Sequence, residues 1–140
     1  MHFGESAVND QVTVLFANDS FYVAFAGGDV SAMHDLWSER DDITCIHPGW
    51  TPIEGRSAVM RSWRGILLGH PPQIVCRDAA AHLLGDVAYV VCFEQINDVV
   101  LAATNIFARE HGAWKMVHHQ ASASPAPTVE PSKDSRTSLQ

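Results

Sequence analysis

The apolar residues of this 140-residue chain change their spacing midway along it. In the front half they recur at three- and four-residue steps, which indicates helices over residues 12–26, 30–37 and 55–68, with a brief strand at residues 43–47. In the back half the step becomes two, which indicates strands over residues 73–80, 87–96, 99–109 and 113–121. Helices followed by a strand meander predict an α+β fold, with the helices packed on a curved, mostly antiparallel sheet.

Two short turns set the expected register of the last three strands. A two-residue turn at residues 97–98 pairs Asn105 with Val90, and one at residues 111–112 pairs Asn105 with His118. A one-residue bulge in the second turn would exchange His118 for His119. The register predicts four polar side chains on one sheet face, beside an apolar wall: Glu94, Asn105, His118 and Gln120.

The opposite face of the predicted sheet is also apolar, with Val91, Ile106 and Val117 among its residues. A meander with helices on one side usually leaves its other face in contact with water. We therefore expect a second copy of the chain to cover this face, giving a homodimer, since two-fold dimers dominate soluble oligomers.

A candidate pocket lies where the polar sheet face meets the third helix and the sharp rim that follows His47. Pockets need apolar walls and a few converging polar atoms. The predicted catalytic residues are His47 and His118, because imidazoles titrate close to neutral pH. For each the alternative is a purely structural histidine. The predicted ligand-binding residues are Trp50, Met60, Trp63, Cys92, Glu94, Asn105 and Gln120.

Charge and composition exclude several classes of partner. Lysine and arginine number 9 against 16 acidic residues, so the net charge of -7 disfavours nucleic acid. No apolar run approaches the ~20 residues that a membrane span needs, so we expect no membrane partner. The three cysteines lie among apolar residues, which is typical of reduced thiols in a cytoplasmic protein.

We expect neither a metal nor a cofactor. The adjacent histidines His118 and His119 would point to opposite faces of a strand and could not both bind one ion. A zinc site would need His47, His118 and a carboxylate such as Glu94 to converge, and no spacing requires that. Residues 1–122 are predicted to form one domain. Residues 123–140, rich in proline and poor in large apolar side chains, are predicted to form a disordered tail.

Four segments, in this order, resemble the SnoaL-like members of the nuclear transport factor 2-like superfamily. They are FYVAFAGGDVSAMHDLW, ITCIHPGW, GRSAVMRSW and ATNIFAREHGAWKMVHHQAS, at residues 21–37, 43–50, 55–63 and 103–122. The resemblance implies a cone: helices lining one side of a curved sheet around a deep cavity, usually in a homodimer. It is weaker evidence for any one reaction, because one fold hosts many functions.

Two branches of this superfamily bear on function. Ketosteroid isomerases use a carboxylate base with an oxyanion hole of a tyrosine and a protonated aspartate. The matching positions here hold His47, Phe21 and either Ala103 or Thr104, with Tyr22 expected to turn away. The last segment also resembles the association domain of calcium/calmodulin-dependent kinases, whose pocket arginine position holds Asn105. That replacement makes an anionic ligand less favourable.

These observations favour a small-molecule pocket over other functions. We expect a small, largely apolar, neutral ligand. If the protein is an enzyme, we expect a cofactor-independent isomerase, dehydratase or cyclase. The alternative is a non-catalytic module for ligand binding or oligomerisation.

Overall fold

The computed structural model describes residues 3–127, and the side chains of residues 8–127. Its helices are α1 (Phe3–Ala26), α2 (Val30–Leu36) and α3 (Arg56–Leu68). Its strands are β1 (Thr44–Ile46), β2 (Ile53–Glu54), β3 (Val75–Leu84), β4 (Val87–Ile96), β5 (Val99–Glu110) and β6 (Ala113–Ala123). The predicted α+β fold, helices packed on a mostly antiparallel sheet, is confirmed. The third helix follows two short strands, of which β2 was not predicted.

The six strands form one sheet in the order β2-β1-β6-β5-β4-β3. Strands β3 to β6 are an antiparallel meander, as predicted from their period of two. Strand β1 pairs in parallel with β6 and antiparallel with β2. The parallel pairing brings the end of β1, where His47 follows, beside the last strand of the chain.

The turn at residues 97–98 sets the β4–β5 register as predicted. Val90 pairs with Asn105, and Glu94 pairs with Leu101. Asn97 adopts a φ of 54°, in the left-handed region that asparagine tolerates better than most residues. Asn97 is therefore a residue type that favours the turn predicted at this position.

The predicted β5–β6 register holds near the turn and is wrong beyond it. Glu110 pairs with Ala113 across the two-residue turn. The register then shifts between Phe107 and Ile106, where β6 carries one extra residue. Such a bulge moves every later side chain to the other face of the sheet. His119, not His118, therefore lies opposite Asn105.

Helix α2 is held at both ends by side chains. The carboxylate of Asp29 accepts a hydrogen bond from the Ala32 amide at 3.0 Å, which caps the first turn. At the other end, the Arg56 guanidinium donates to the carbonyls of His34 and Ser38 at 3.0 and 2.8 Å. Because Arg56 begins α3, these bonds tie the two helices together.

The core lies between the inner sheet face and the inward faces of α1 and α3. Phe21 is fully buried and contacts Trp63 edge to face, with ring centroids 5.4 Å apart. Phe25 contacts the same indole at 5.1 Å. This aromatic cluster fixes the distance between α1 and α3, and with it the width of the space above the sheet.

Strand β6 continues to Ala123, one residue beyond the predicted end of the domain at residue 122. That boundary and the disorder of residues 123–140 remain predictions, and residues 128–140 lie outside the described part. Within residues 3–127, none of the helices combines the length and the hydrophobicity needed to cross a membrane.

The turn between α1 and α2 leads to a first prediction. Gly28 has a φ of 62°, and an added Cβ would lie 3.2 Å from the Leu67 carbonyl oxygen. We expect Gly28→Ala to lower the free energy of unfolding by about 1–2 kcal/mol. Gly65 lies in α3 with open space around a built Cβ, so Gly65→Ala should raise stability by up to about 1 kcal/mol. Urea denaturation measures both changes in the free energy of unfolding. Equal effects of the two substitutions would contradict backbone strain at Gly28.

Candidate functional site

A cavity of about 220 Å³ lies between the helices and the inner face of the sheet. Its walls are mostly apolar, and three titratable side chains lie among them. The lining residues are Phe25, His47, Pro48, Trp50, Ile66, Pro72, Glu94, Ile96, Leu101 and His119. Apolar walls with a few converging polar groups are the usual composition of a small-molecule site.

The predicted site residues fall into three groups. His47, Trp50 and Glu94 line the cavity. Met60, Trp63, Cys92 and Asn105 do not line it and are buried in the surrounding structure.

His118 and Gln120 lie on the outer face of the sheet, where the β6 bulge puts them. The paired neighbours of His118 and Gln120 are Ile106 and Thr104, on the face opposite Asn105. The His118 ring accepts or donates a hydrogen bond with the Thr44 hydroxyl at 2.6 Å. The prediction that His118 and Gln120 share a face with Asn105 is therefore wrong.

Sequence reasoning missed His119 and Tyr22. His119 is 1% exposed and lines the cavity; it was the alternative that a bulge would select. Tyr22 was expected to turn away, yet it is buried, and its hydroxyl donates to Glu94 Oε2 at 2.6 Å. Its i, i+4 relation to Asn18, another buried polar residue of α1, was the signal that could have identified it.

Asn105 is the centre of a buried hydrogen-bond network. Its amide nitrogen donates to Asn18 Oδ1 at 2.8 Å and to the Tyr22 hydroxyl at 3.1 Å. Its carbonyl oxygen pairs with His119 Nδ1 at 2.5 Å. With the Tyr22–Glu94 bond, the network runs from His119 through Asn105 and Tyr22 to Glu94. These bonds satisfy polar groups that would otherwise be costly to bury.

The network determines which nitrogen of His119 carries the proton. Since the Asn105 nitrogen makes both donor contacts, its oxygen faces His119 and can only accept. Nδ1 of His119 is therefore the donor, and Nε2 is left with its lone pair. Nε2 lies 3.9 Å from Glu94 Oε2. Burial lowers the pKa of His119 to about 3, with the neighbouring histidines His47 and His118 adding to the effect.

Glu94 is a buried carboxyl group with a pKa close to neutral. It is 2% exposed, and burial raises its pKa from 4.5 to about 7, although the hydrogen bond from Tyr22 opposes that rise. A carboxyl in this range is available in both protonation states at neutral pH. It is the cavity residue whose pKa is best suited to proton transfer.

His47 closes the other side of the cavity. Ser62 donates its hydroxyl proton to the Val59 carbonyl at 2.7 Å, so it accepts from His47 Nε2 at 2.9 Å. Nδ1 of His47 then keeps its lone pair. Burial lowers the pKa of His47 to about 4. Trp50 contacts the ring edge to face at 4.7 Å and forms an exposed rim.

No three histidine, cysteine, aspartate or glutamate side chains within the described part of the chain come together as metal ligands would. The groups that line the cavity are a carboxyl with a pKa close to neutral, two imidazoles with lowered pKa values, and apolar side chains.

Comparison with known proteins agrees with this architecture. The sequence profile of the SnoaL-like domain matches residues 14–127. The chain belongs to the SnoaL-like domain family. The resemblance predicted from the four sequence segments is thereby confirmed.

Two solved structures share both fold and sequence with this SnoaL-like domain. A Streptomyces avermitilis protein of the NTF2-like family, provisionally named a dehydratase, is 31% identical with a TM-score of 0.78. The match covers 86% of this chain and 99% of that one. A Thiobacillus denitrificans protein, provisionally named a calcium/calmodulin-dependent protein kinase type II association domain, is 32% identical with a TM-score of 0.65. That match covers 78% and 93% of the two chains.

A plant protein is related over part of its length. The F-box protein SKIP8 of Arabidopsis thaliana is 26% identical over 114 residues, which are 78% of this chain and 48% of the plant protein. The SnoaL-like chain thus spans about half of that relative.

The raised pKa of Glu94 leads to a second prediction. The unfolded carboxyl releases its proton near pH 4.5 and the folded one near pH 7, so this group destabilises the fold increasingly as pH rises between those values. At pH 8 the full cost is roughly 3 kcal/mol. Glu94→Gln keeps an oxygen to accept from Tyr22 and removes the titration. Its stability relative to wild type should therefore increase by about that amount from pH 4.5 to pH 8.

Urea denaturation at several pH values measures the difference in unfolding free energy between Glu94→Gln and wild type. Both proteins contain His47 and His119, so the contributions of these histidines cancel in that difference. Glu54→Gln makes the same change at an exposed carboxyl of β2 that does not line the cavity, and it is the matched control. A Glu94→Gln difference that is equal at pH 4.5 and pH 8 would contradict the raised pKa.

Proposed function

We propose that this SnoaL-like domain binds a small, neutral, largely apolar molecule in the 220 Å³ cavity and transfers a proton on it through Glu94. One observation carries the proposal: every titratable group that lines the cavity is shifted by burial toward its neutral form. Burial raises the pKa of Glu94 to about 7 and lowers the pKa values of His47 and His119 to about 4 and 3.

The neutrality of these groups supports a neutral ligand. At pH 7 the neutral form of both imidazoles dominates, and Glu94 is present in both protonation states. Among the described residues, the lining of the cavity therefore has no fixed positive charge to pair with an anion. The cavity is also below the ~300–1,000 Å³ of sites for drug-sized ligands, which favours a smaller molecule.

The same groups support acid–base chemistry without a cofactor. A general acid or base works best when its pKa lies near the working pH, as that of Glu94 does. His47 Nδ1 and His119 Nε2 carry lone pairs that can accept a hydrogen bond from a ligand hydroxyl. Glu94 would move the proton, and His47 and His119 would orient the ligand. This differs from our sequence prediction, which gave the acid–base role to His47 and His118.

The reaction class that fits is an isomerisation, dehydration or cyclisation. Each needs a proton removed at one atom and delivered at another, with no electron acceptor. In a dehydration the delivered proton goes to the hydroxyl, which leaves as water when the C–O bond breaks and the C=C bond forms. The Streptomyces avermitilis relative, provisionally named a dehydratase, shares 31% identity and supports this class.

A second candidate function is assembly, with or without a ligand. The outer sheet face has an open hollow of about 580 Å³, whose apolar lining includes Val87, Ile106 and Val117. Val91, on the same face, is 45% exposed. The Thiobacillus denitrificans relative is provisionally named an association domain, which supports pairing of two copies. We propose that the outer face forms a homodimer in either case, and that the protein acts in the cytoplasm.

The catalytic proposal predicts different effects for inner- and outer-face residues. We expect a thermal-shift screen of hydroxylated apolar compounds to identify ligands of the cavity. Glu94→Gln and His47→Ala should each weaken the affinity for such a ligand about tenfold or more. His118→Ala, on the outer face, should leave it unchanged. With a ligand in D₂O, mass spectrometry should detect deuterium incorporation that Glu94→Gln slows by about 10²-fold.

The outcomes separate the two candidates. Ligand binding without deuterium exchange or conversion in the wild type would support the non-catalytic module. Loss of the ligand response in His118→Ala, with the response kept in Glu94→Gln, would contradict this cavity as the site.

The dimer proposal makes its own prediction. Val91→Glu would place a charge in the apolar face, and we expect it to convert a dimer into a monomer in sedimentation velocity at micromolar concentration. Val99→Glu, at an exposed valine where β5 begins, should leave the dimer intact. A wild-type monomer under these conditions would contradict the proposed interface.

A further inference from the structure

Helix α1 is apolar on two opposite sides. Its inner side, with Val14, Phe21 and Phe25, is buried in the core. At 100° per residue, Val12, Phe16 and Val23 fall within about 40° of one another on the outer side. These three are 60%, 73% and 72% exposed. Isolated exposed apolar residues are common, but a stripe along one helix marks an interaction surface.

The stripe borders a groove of about 470 Å³ between α1 and α2. Phe16 and Val23 form one wall, and Ala32 and Leu36 of α2 contribute to the other. The groove is separate from the cavity that contains Glu94, because none of the residues that line the groove also lines the 220 Å³ cavity. It therefore belongs to a second surface of the molecule.

The charged residues that line this groove are all acidic. Three carboxylates line it: Asp19, Asp29 and Asp35. The sequence has no lysine or arginine before Arg40, so α1 and α2 carry no basic residue other than histidine. Lys115 approaches from β6, where its ammonium donates to the Asp35 backbone carbonyl at 2.7 Å. The groove thus combines apolar walls with an acidic rim formed by Asp19, Asp29 and Asp35.

We propose that the α1–α2 groove docks a basic amphipathic helix of another protein. Apolar side chains at i, i+4 and i+7 of that helix would contact Phe16 and Val23, as amphipathic helices do in hydrophobic grooves. Its lysines or arginines would face Asp19, Asp29 and Asp35. This surface is independent of the proposed acid–base function of the cavity.

Charge selects this occupant over three others. A second copy that met this groove in a two-fold contact would bring its own acidic rim against this one, and like charges across an interface are unfavourable. Anionic membrane surfaces and nucleic acids are repelled by the same carboxylates. A basic polypeptide segment has the complementary sign.

The test uses a synthetic 18-residue amphipathic peptide with leucine and phenylalanine on one face and lysine on the other, labelled for fluorescence anisotropy. A counterpart with glutamate in place of lysine is the peptide control. We expect the lysine peptide to bind the full chain and the glutamate peptide not to bind. The double variant Phe16→Ser, Val23→Ser should weaken binding about tenfold or more. Asp19→Asn with Asp35→Asn should weaken it and reduce its salt dependence.

The matched control is Leu84→Ser with Val99→Ser, which changes two exposed apolar residues elsewhere and should leave affinity unchanged. Circular dichroism of each variant confirms folding. Equal binding of the two peptides, or equal effects of the groove and control variants, would overturn the proposal. So would self-association or binding to phosphatidylserine vesicles that disappears in Phe16→Ser, because either result would identify a different occupant.

Discussion

The side-chain amide of Asn105 holds the two layers of this fold at the distance that the cavity needs. It is fully buried, and it bonds to Asn18 and Tyr22 of α1 on one side and to His119 of β6 on the other. A polar group in that position costs a few kcal/mol unless it is paired. The pairing stabilises the orientation of α1 over the sheet, because Asn105 bonds to both layers at once.

The Asn105 network also explains how Glu94 can be buried. A carboxylate without partners at that depth would be costly, and its pKa is raised accordingly, but the Tyr22 hydroxyl offsets part of the cost. Tyr22 is itself held by Asn105. The group we propose for proton transfer is therefore positioned by a chain of hydrogen bonds that reaches His119, which contacts the same cavity.

How well the sequence predicted each site residue depended on whether the feature that positions it lies in a turn or inside a strand. The β4–β5 pairing followed from a two-residue turn whose chemistry is visible at Asn97, so Glu94 and Asn105 were placed correctly on one face. The β6 bulge lies inside the strand, several residues after a turn that was itself predicted correctly. No glycine or proline marks it, and His118 and His119 are chemically identical, so side-chain pattern alone could not distinguish them. Tyr22 was misplaced because its spacing from Asn18 does not by itself reveal Glu94 and Asn105, its partners distant in sequence.

The parallel pairing of β1 with β6 has a consequence for how the protein forms during synthesis. Thr44 and His118 are paired across 74 positions, so the wall that bears His47 meets the wall that bears His119 only after nearly all of the described residues have left the ribosome. Contacts between such distant segments are slow to establish, since the entropy of closing a long loop precedes any gain from them. The proposed ligand cavity is therefore complete only when the last strand has been added.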